Sequence, residues 1–284
     1  MSSVNRSCVC RYESAWSFFA LRLVAYSVVC IALAPVLYVL LWTFWGTPVV
    51  GVLSASPTMQ WVEQFFRDAS WLRTGGYSLV VAALVATSGT AILVCFFYFA
   101  RFGRGRPYWV SYALMMAFLV SPPTLLGLAL RLFGGRFGLS EMVLLYLGQL
   151  VLVFPVQYFV LDSVQVLVPT EMLFAATTLG ASHRRNLWYV YWPLLRRASI
   201  AAWGVGFLVS LDELVIALMV IDSSLVTVPQ RLWEQIPRSM DPIPAVVGTV
   251  LVLASILGIV VALSLQILDV KQRRIAFRED PVSR

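Results

Sequence analysis

Lysine occurs once in the 284-residue sequence, histidine once and cysteine four times. Each scarcity removes a class of chemistry. A P-loop needs a lysine directly after its closing glycine, because that ammonium and the loop's backbone N–H groups hold the phosphates together. The single Lys271 follows Val270, so this route to ATP hydrolysis is absent from the chain. His183 stands among arginines in a polar loop, which rules out a serine–histidine pair inside an apolar segment. Cys30 and Cys95 lie within apolar runs and Cys8 and Cys10 near the N-terminus, a pattern that implies no disulfide framework. Charge is sparse as well. Only 12% of residues are charged against 60% hydrophobic, with a mean hydropathy of +0.83, too apolar for one water-soluble core.

What is present is a series of long apolar runs. A bilayer's hydrocarbon core of about 30 Å needs roughly 20 apolar residues in a helix. Six runs qualify: Leu23–Trp45, Tyr77–Ala100, Tyr108–Leu130, Met142–Leu161, Ser199–Val220 and Ile243–Leu268. The sequence thus predicts an all-α membrane protein with six transmembrane helices over 23–268, flanked by cytoplasmic tails over 1–22 and 269–284. The first run is longer than a signal peptide's apolar region and reads as a retained helix. Six spans place both termini on one side, and arginine and lysine should mark the cytoplasm. With termini inside, fifteen of the 21 basic residues fall on that side, and Arg67, Arg73, Arg131, Arg136, Arg231 and Arg238 fall outside. The net charge of +7 therefore reports orientation and attraction to anionic membrane lipid, not a nucleic-acid partner.

Several polar features interrupt this pattern. In the first outer loop, "SPTMQWVEQFFRDASW", Ser56 is placed to cap a helix with Pro57 in its first turn and Trp61, Val62, Phe65 and Phe66 on one face. That face suits an interfacial anchor or a docking surface for an outer partner. Ser121, Pro122, Pro123 and Pro155 introduce breaks that should face protein or a cavity, since lipid cannot replace a lost backbone hydrogen bond. Gln149 and Gln157 lie near one helical face, suited to interhelical hydrogen bonds. A short helical window from Pro229 to Ile236 ends at Pro237.

The fifth run alone carries formal charges, Asp212 and Glu213. Acids within a membrane are costly and usually face a bundle interior or an aqueous path. No other run contains arginine or lysine, so either a partner subunit, a protonated state or a cationic solute must account for them. On one continuous helix they would point about 100° apart, which argues against a one-chain aspartyl protease. Ser210, Asp212 and Glu213 are the candidate pathway residues.

Between the fourth and fifth runs lies "FAATTLGASHRRNLWYVYWPLLRR", within a loop over 163–197. Thr170 is placed to cap a short helix beginning at Glu171, and Gly180 to end it. Ala175 and Ala176 leave a low-relief face, with Leu173, Phe174 and Leu179 as apolar contacts. A second helix over Ser182–Trp192 is expected to follow.

The spacing resembles the coupling motif of ABC importer permeases: Glu-Ala-Ala, three residues, Gly, nine residues, Ile, one residue, Leu-Pro. Phe174, Ala175, Ala176, Gly180, Val190, Trp192 and Pro193 occupy those places. The segments "SLDELVIALMV" and "TVPQRLWEQIPRSMDPIPAVVGT" are similar to the closing region of permeases of the spermidine/putrescine group. The resemblance implies a type I importer transmembrane-domain fold with cytoplasmic coupling helices, in a bacterial inner membrane. It implies a second permease subunit, two ATPase subunits that bind ATP and Mg, an extracytoplasmic solute-binding protein, and no cofactor on this chain. Glu171, Phe174, Ala175, Ala176, Gly180, Ala181, Arg184, Arg185, Val190 and Pro193 would then meet the ATPase. Phe174 departs from the family's acidic residue, and Glu171, one turn earlier on nearly the same face, is the candidate replacement. The acids of the fifth run suit a polyamine. An autonomous secondary transporter, or a permease for another small solute, is the alternative reading.

Overall fold

The computed structural model describes residues 9–47, 52–102, 108–222, 226–235, 241–254 and 256. Apart from one isolated bridge between Gly46 and Leu53, its regular structure is helical. Contacts divide it into two units, one containing residues 69–235 and the other the remainder.

The larger unit is a bundle built on three long helices: α3 (Ala69–Phe102), α6 (Glu141–Gln165) and a continuous 29-residue helix, His183–Leu211, which joins α8 (His183–Asn186) to α9 (Trp192–Leu211). Around these are α4 (Tyr108–Val120), α5 (Pro123–Phe137), α7 (Thr170–Thr178), α10 (Val215–Val220) and α11 (Val228–Gln235). In the smaller unit, α1 (Val9–Trp45) and α2 (Gln60–Arg67) accompany a short apolar helix, Ile243–Ala254. There Thr43 and Thr249 share a hydroxyl–hydroxyl hydrogen bond of 2.7 Å, and Trp61 Nε1 donates to Gly46 O at 3.0 Å.

Four helices among the described residues are long and apolar enough to cross a membrane, five if one bent pair counts as a span. The chain is thus a multi-pass helical membrane protein, but the count of six is not reproduced. The expected span Tyr108–Leu130 is broken. Trp109–Val120 and Pro123–Phe137 meet at 93°, because Pro122 and Pro123 withhold two donors and the residue before a proline is driven to extended backbone. Pro122 itself is extended, with ψ 126°. The expected sixth span is described only in its first half; its continuation to Leu268, like the 269–284 tail, lies outside the described residues. The first helix extends N-terminal to Leu23, through much of the expected tail.

Other corrections are local. Ser56 caps nothing: α2 begins at Gln60 with Met59 before it. Trp61 and Phe65 are buried there, whereas Phe66 is exposed. The window expected over Pro229–Ile236 is helical over Val228–Gln235, and Ile236 lies outside the described residues. Its first amide donates to Ser78 Oγ at 2.8 Å, and the Arg231 guanidinium sits 4.1 Å from the Trp71 ring centroid.

In lipid, helices gain no hydrophobic drive by meeting one another, so close packing and interhelical hydrogen bonds must hold them. Gln157 of α6 meets both needs. Its amide is wholly buried and Nε2 lies 3.1 Å from Ala86 O, 3.1 Å from Thr90 Oγ1 and 3.4 Å from Ala202 O. It therefore ties α6 to α3 on one side and to the His183–Leu211 helix on the other. The space for it exists because Gly89 and Gly206 have no side chain; a Cβ at either position would overlap the amide. Gln149, two turns away, accepts from Ser210 Oγ at 2.5 Å. Both glutamines are therefore packing residues, as their spacing suggests.

Gly206→Val is expected to lower the thermal stability of the purified protein by about 1–3 kcal/mol through overpacking. Ala201→Val, at an exposed position of the same helix, should leave it nearly unchanged. Calorimetry or a thiol-independent thermal-shift assay in detergent checks both.

Candidate functional site

The polar loop after α6 folds into a compact tip. α7 follows Pro169, whose extended backbone precedes the helix; Thr170 is its first residue and not its cap, and its hydroxyl makes no capping bond. At the other end Gly180 adopts φ +87°. Gly180 N–H donates to Thr177 O and Ala181 N–H to Ala176 O, each at 3.0 Å. This pair of bonds is a Schellman closure, which needs a left-handed residue at the glycine position. The sequence reading of Gly180 as a helix terminator is thereby explained in atomic terms.

Ser182 caps the next helix, its Oγ accepting from Arg185 N–H at 3.4 Å. That helix does not stop at Trp192. After His183–Asn186 the chain widens into a π-helical segment, Leu187–Tyr191, and continues without interruption to Leu211. Trp192 N–H bonds to Leu187 O, five residues back. Pro193 has no N–H and would crowd the carbonyl four residues before it in a tight α-turn. The wider turns immediately upstream accommodate this proline, which therefore lies inside a helix where the sequence suggested an end.

Asn186 ties the two parts of the tip. It is fully buried, and its Nδ2 donates to Leu173 O at 2.8 Å. Leu173 is buried in the bundle's own core, so it cannot be an outward contact. Phe174 is half exposed and packs edge-on against Phe102 at the end of α3, with ring centroids 5.4 Å apart. Phe102 also packs against His183 at 5.1 Å, and the Tyr98 hydroxyl donates to His183 O at 3.0 Å. Nearby, the Arg101 guanidinium grips Gln165, including its backbone carbonyl. Sequence reasoning missed Phe102, Asn186 and Arg101; only Asn186, a lone amide beginning an aromatic run, offered a signal.

The outward surface of the tip comprises Glu171, Ala175, Gly180, Arg184, Arg185 and Pro193, all exposed, with Ala176, Ala181 and Val190 partly covered. Met172 is 53% and Leu179 88% exposed, so the tip offers water two large apolar side chains beside its alanines. These residues lie on α7, on the turn after it and on the first part of the His183–Leu211 helix.

The acids lie elsewhere. Asp212 and Glu213 are not on one continuous helix: Asp212 follows the last residue of the His183–Leu211 helix, and α10 starts at Val215. Asp212 is exposed, whereas Glu213 is buried. Glu213 Oε1 accepts from Ile216 N–H at 2.7 Å and Oε2 from Ala217 N–H at 3.3 Å. The partner sought for this acid among basic residues is thus backbone, the otherwise unpaired amides of the following helix. Ser210 is buried and donates to Gln149, whereas Asp212 is exposed. On the far side of α10, Arg131 bonds Met219 O at 2.9 Å and pairs with Asp222. That guanidinium holds the Asp222 carboxyl below the usual carboxylate range, chiefly by hydrogen bonding.

No protein-family model matches the sequence. The fold is shared with a chain of a solved ABC transporter. A solved bacterial ABC transporter involved in import of the acidic polysaccharide alginate superposes with a TM-score of 0.62 at 15% identity, covering 93% of this chain and 99% of that one. Among characterised proteins, the chain is homologous to two permeases of Escherichia coli. It is 25% identical over 217 residues to the putrescine transport system permease protein PotI, covering 74% of this chain and 77% of that protein. It is 27% identical over 213 residues to the spermidine/putrescine transport system permease protein PotC, covering 72% and 77%. The Haemophilus influenzae PotC is 25% identical over 212 residues, covering 71% and 79%.

Removing the Asn186 amide deletes the buried bond that ties it to the Leu173 carbonyl, a loss of about 1 kcal/mol. Asn186→Ala is expected to speed hydrogen exchange of the Leu179, Gly180 and Ala181 amides. The Gln157 region should stay protected, as peptide-resolved exchange can show.

Proposed function

We propose that the chain is a non-catalytic permease subunit of an ATP-driven importer for a small cationic amine, of the putrescine and spermidine class. The observation that carries this reading is the α7–Gly180–His183 tip. It sets an alanine face and a Schellman-closed glycine together on the outside of the bundle, in a homologue of polyamine permeases. In this reading α7 seats in a groove of an ATPase subunit, which binds ATP and Mg. Two such ATPases, a second permease and an extracytoplasmic solute-binding protein complete the assembly in a bacterial inner membrane, with both termini of this chain cytoplasmic. Movement of the docked tip then shifts the helices as packed bodies and alternates access to the path.

The tip also explains how the motif tolerates Phe174. The ring is braced by Phe102, so its outer half offers apolar contact, while the exposed Glu171 one turn earlier supplies negative charge. Asp212 contributes the fixed charge of the solute path, and Glu213 holds the bend that presents it. Solute choice rests on the homology and on this acid, because the shared fold also serves a transporter involved in importing an acidic polysaccharide.

Three outcomes are expected. Gly180→Arg should abolish co-purification of the ATPase and ATP-dependent uptake of labelled putrescine, whereas an autonomous carrier would still transport. Glu171→Ala should uncouple ATP hydrolysis from uptake several-fold, with recovery in Glu171→Ala/Phe174→Glu; unchanged coupling in the single variant rejects the replacement. Asp212→Asn should reduce uptake about tenfold or more with the complex intact, and normal uptake by this variant removes it from the path.

A further inference from the structure

An open cavity of about 340 Å³ runs between α3 and the His183–Leu211 helix. Trp188, Trp192 and Trp203 line one side and Ala91, Val94 and Cys95 the other. Its three hydroxyl side chains are all engaged within the protein. Thr87 Oγ1 accepts from Trp203 Nε1 at 2.9 Å, Thr90 Oγ1 from Gln157 Nε2 at 3.1 Å, and Ser199 Oγ donates to Leu195 O at 3.1 Å. The groove therefore offers a visitor mainly hydrocarbon and aromatic surface and no acidic side chain, which unfits it for a polyamine.

Its end nearest the loop is different. Trp188 also lines a second recess, of about 500 Å³, shared with Ser182, Arg184, Arg185 and Tyr189. Neither arginine forms an ion pair among the described residues. From Arg184 to Trp203 the helix rises about 28 Å, enough for a headgroup and a long acyl chain. Trp188, Tyr189 and Trp192 mark the level where aromatic side chains favour the membrane–water boundary. Basic charge thus lies on the aqueous side of that level and apolar groove on the other.

We propose that the two recesses form one site for an anionic phospholipid, with the phosphate-bearing headgroup at Arg184 and Arg185 and one acyl chain along Trp188, Trp192 and Trp203. A helix of a second permease would fill the groove equally well but would leave the arginine pair without counter-charge, so charge complementarity selects the lipid. The assignment goes beyond the transport reading and does not depend on which solute is carried. It moves Arg184 and Arg185 from the ATPase contact to the membrane.

The test is quenching of tryptophan fluorescence by lipids brominated in the acyl chain, using the assembled transporter in vesicles. The signal of Trp203 is isolated by difference from Trp203→Phe. Brominated phosphatidylglycerol should quench that component at a mole fraction roughly tenfold lower than brominated phosphatidylcholine, the scale set by a few basic residues near an anionic surface. Arg184→Gln/Arg185→Gln should erase the preference and Arg184→Lys/Arg185→Lys should keep it. Equal quenching by the two lipids in the unaltered protein overturns the proposal, as does a preference that survives the double glutamine change. Cross-linking of Cys95 to a second permease subunit in native membranes, with no Trp203 quenching by either lipid, also overturns it. Should the double glutamine variant not assemble, the two-lipid comparison on the unaltered protein decides alone.

Discussion

The Gln157 amide is the joint on which the larger unit depends. Three long helices can approach only where side chains are small, and they need a polar link where lipid supplies no other cohesion. Gly89 and Gly206 provide the room, and Gln157 provides the link to Ala86, Thr90 and Ala202. Much else is fixed once these helices meet there. The Ser210–Gln149 bond follows on one side of the joint. On the other, the aromatic cluster of Phe97, Tyr98, Tyr158 and Tyr191 fills the space as the helices run toward the tip.

The tip inherits its position from that packing. Phe102 ends α3 under Phe174 and His183, Arg101 grips the end of α6, and Asn186 closes α7 onto the start of the next helix. The exposed alanine face is thus held from behind by the end of α3 and the start of the next helix. A surface meant to receive another protein is better presented on such a rigid base than on a loop free to reorder, since less entropy is lost on contact.

Much of this was legible in the residues, and what was not has physical causes. Apolar run length identified the membrane class, and the spacing of Ala175, Ala176 and Gly180 located the tip, because a left-handed helix end has a strong glycine signature. The paired glutamines read correctly as packing. Prolines misled in both directions. Pro122 and Pro123 broke a run that hydropathy alone had joined, whereas Pro193 was absorbed by a π-helical segment that no local pattern announces. The acids misled for another reason. Periodicity treats a helix as unbroken, so it could not show that Glu213 turns back to bind the amides of Ile216 and Ala217. The glycines at 89 and 206 could not be matched to Gln157 without knowing which helices meet.

The uninterrupted course from His183 to Leu211 makes the segment behave as a lever. Its 29 residues measure about 43 Å at the ordinary helical rise. A tilt of only 10° about its middle would carry each end sideways by about 4 Å. The end at Ser182 belongs to the tip, and the opposite end at Leu211 adjoins Asp212 and the bend before α10. Small angular play about its middle, near Arg197, is therefore magnified into displacements of side-chain size at both ends of one rod.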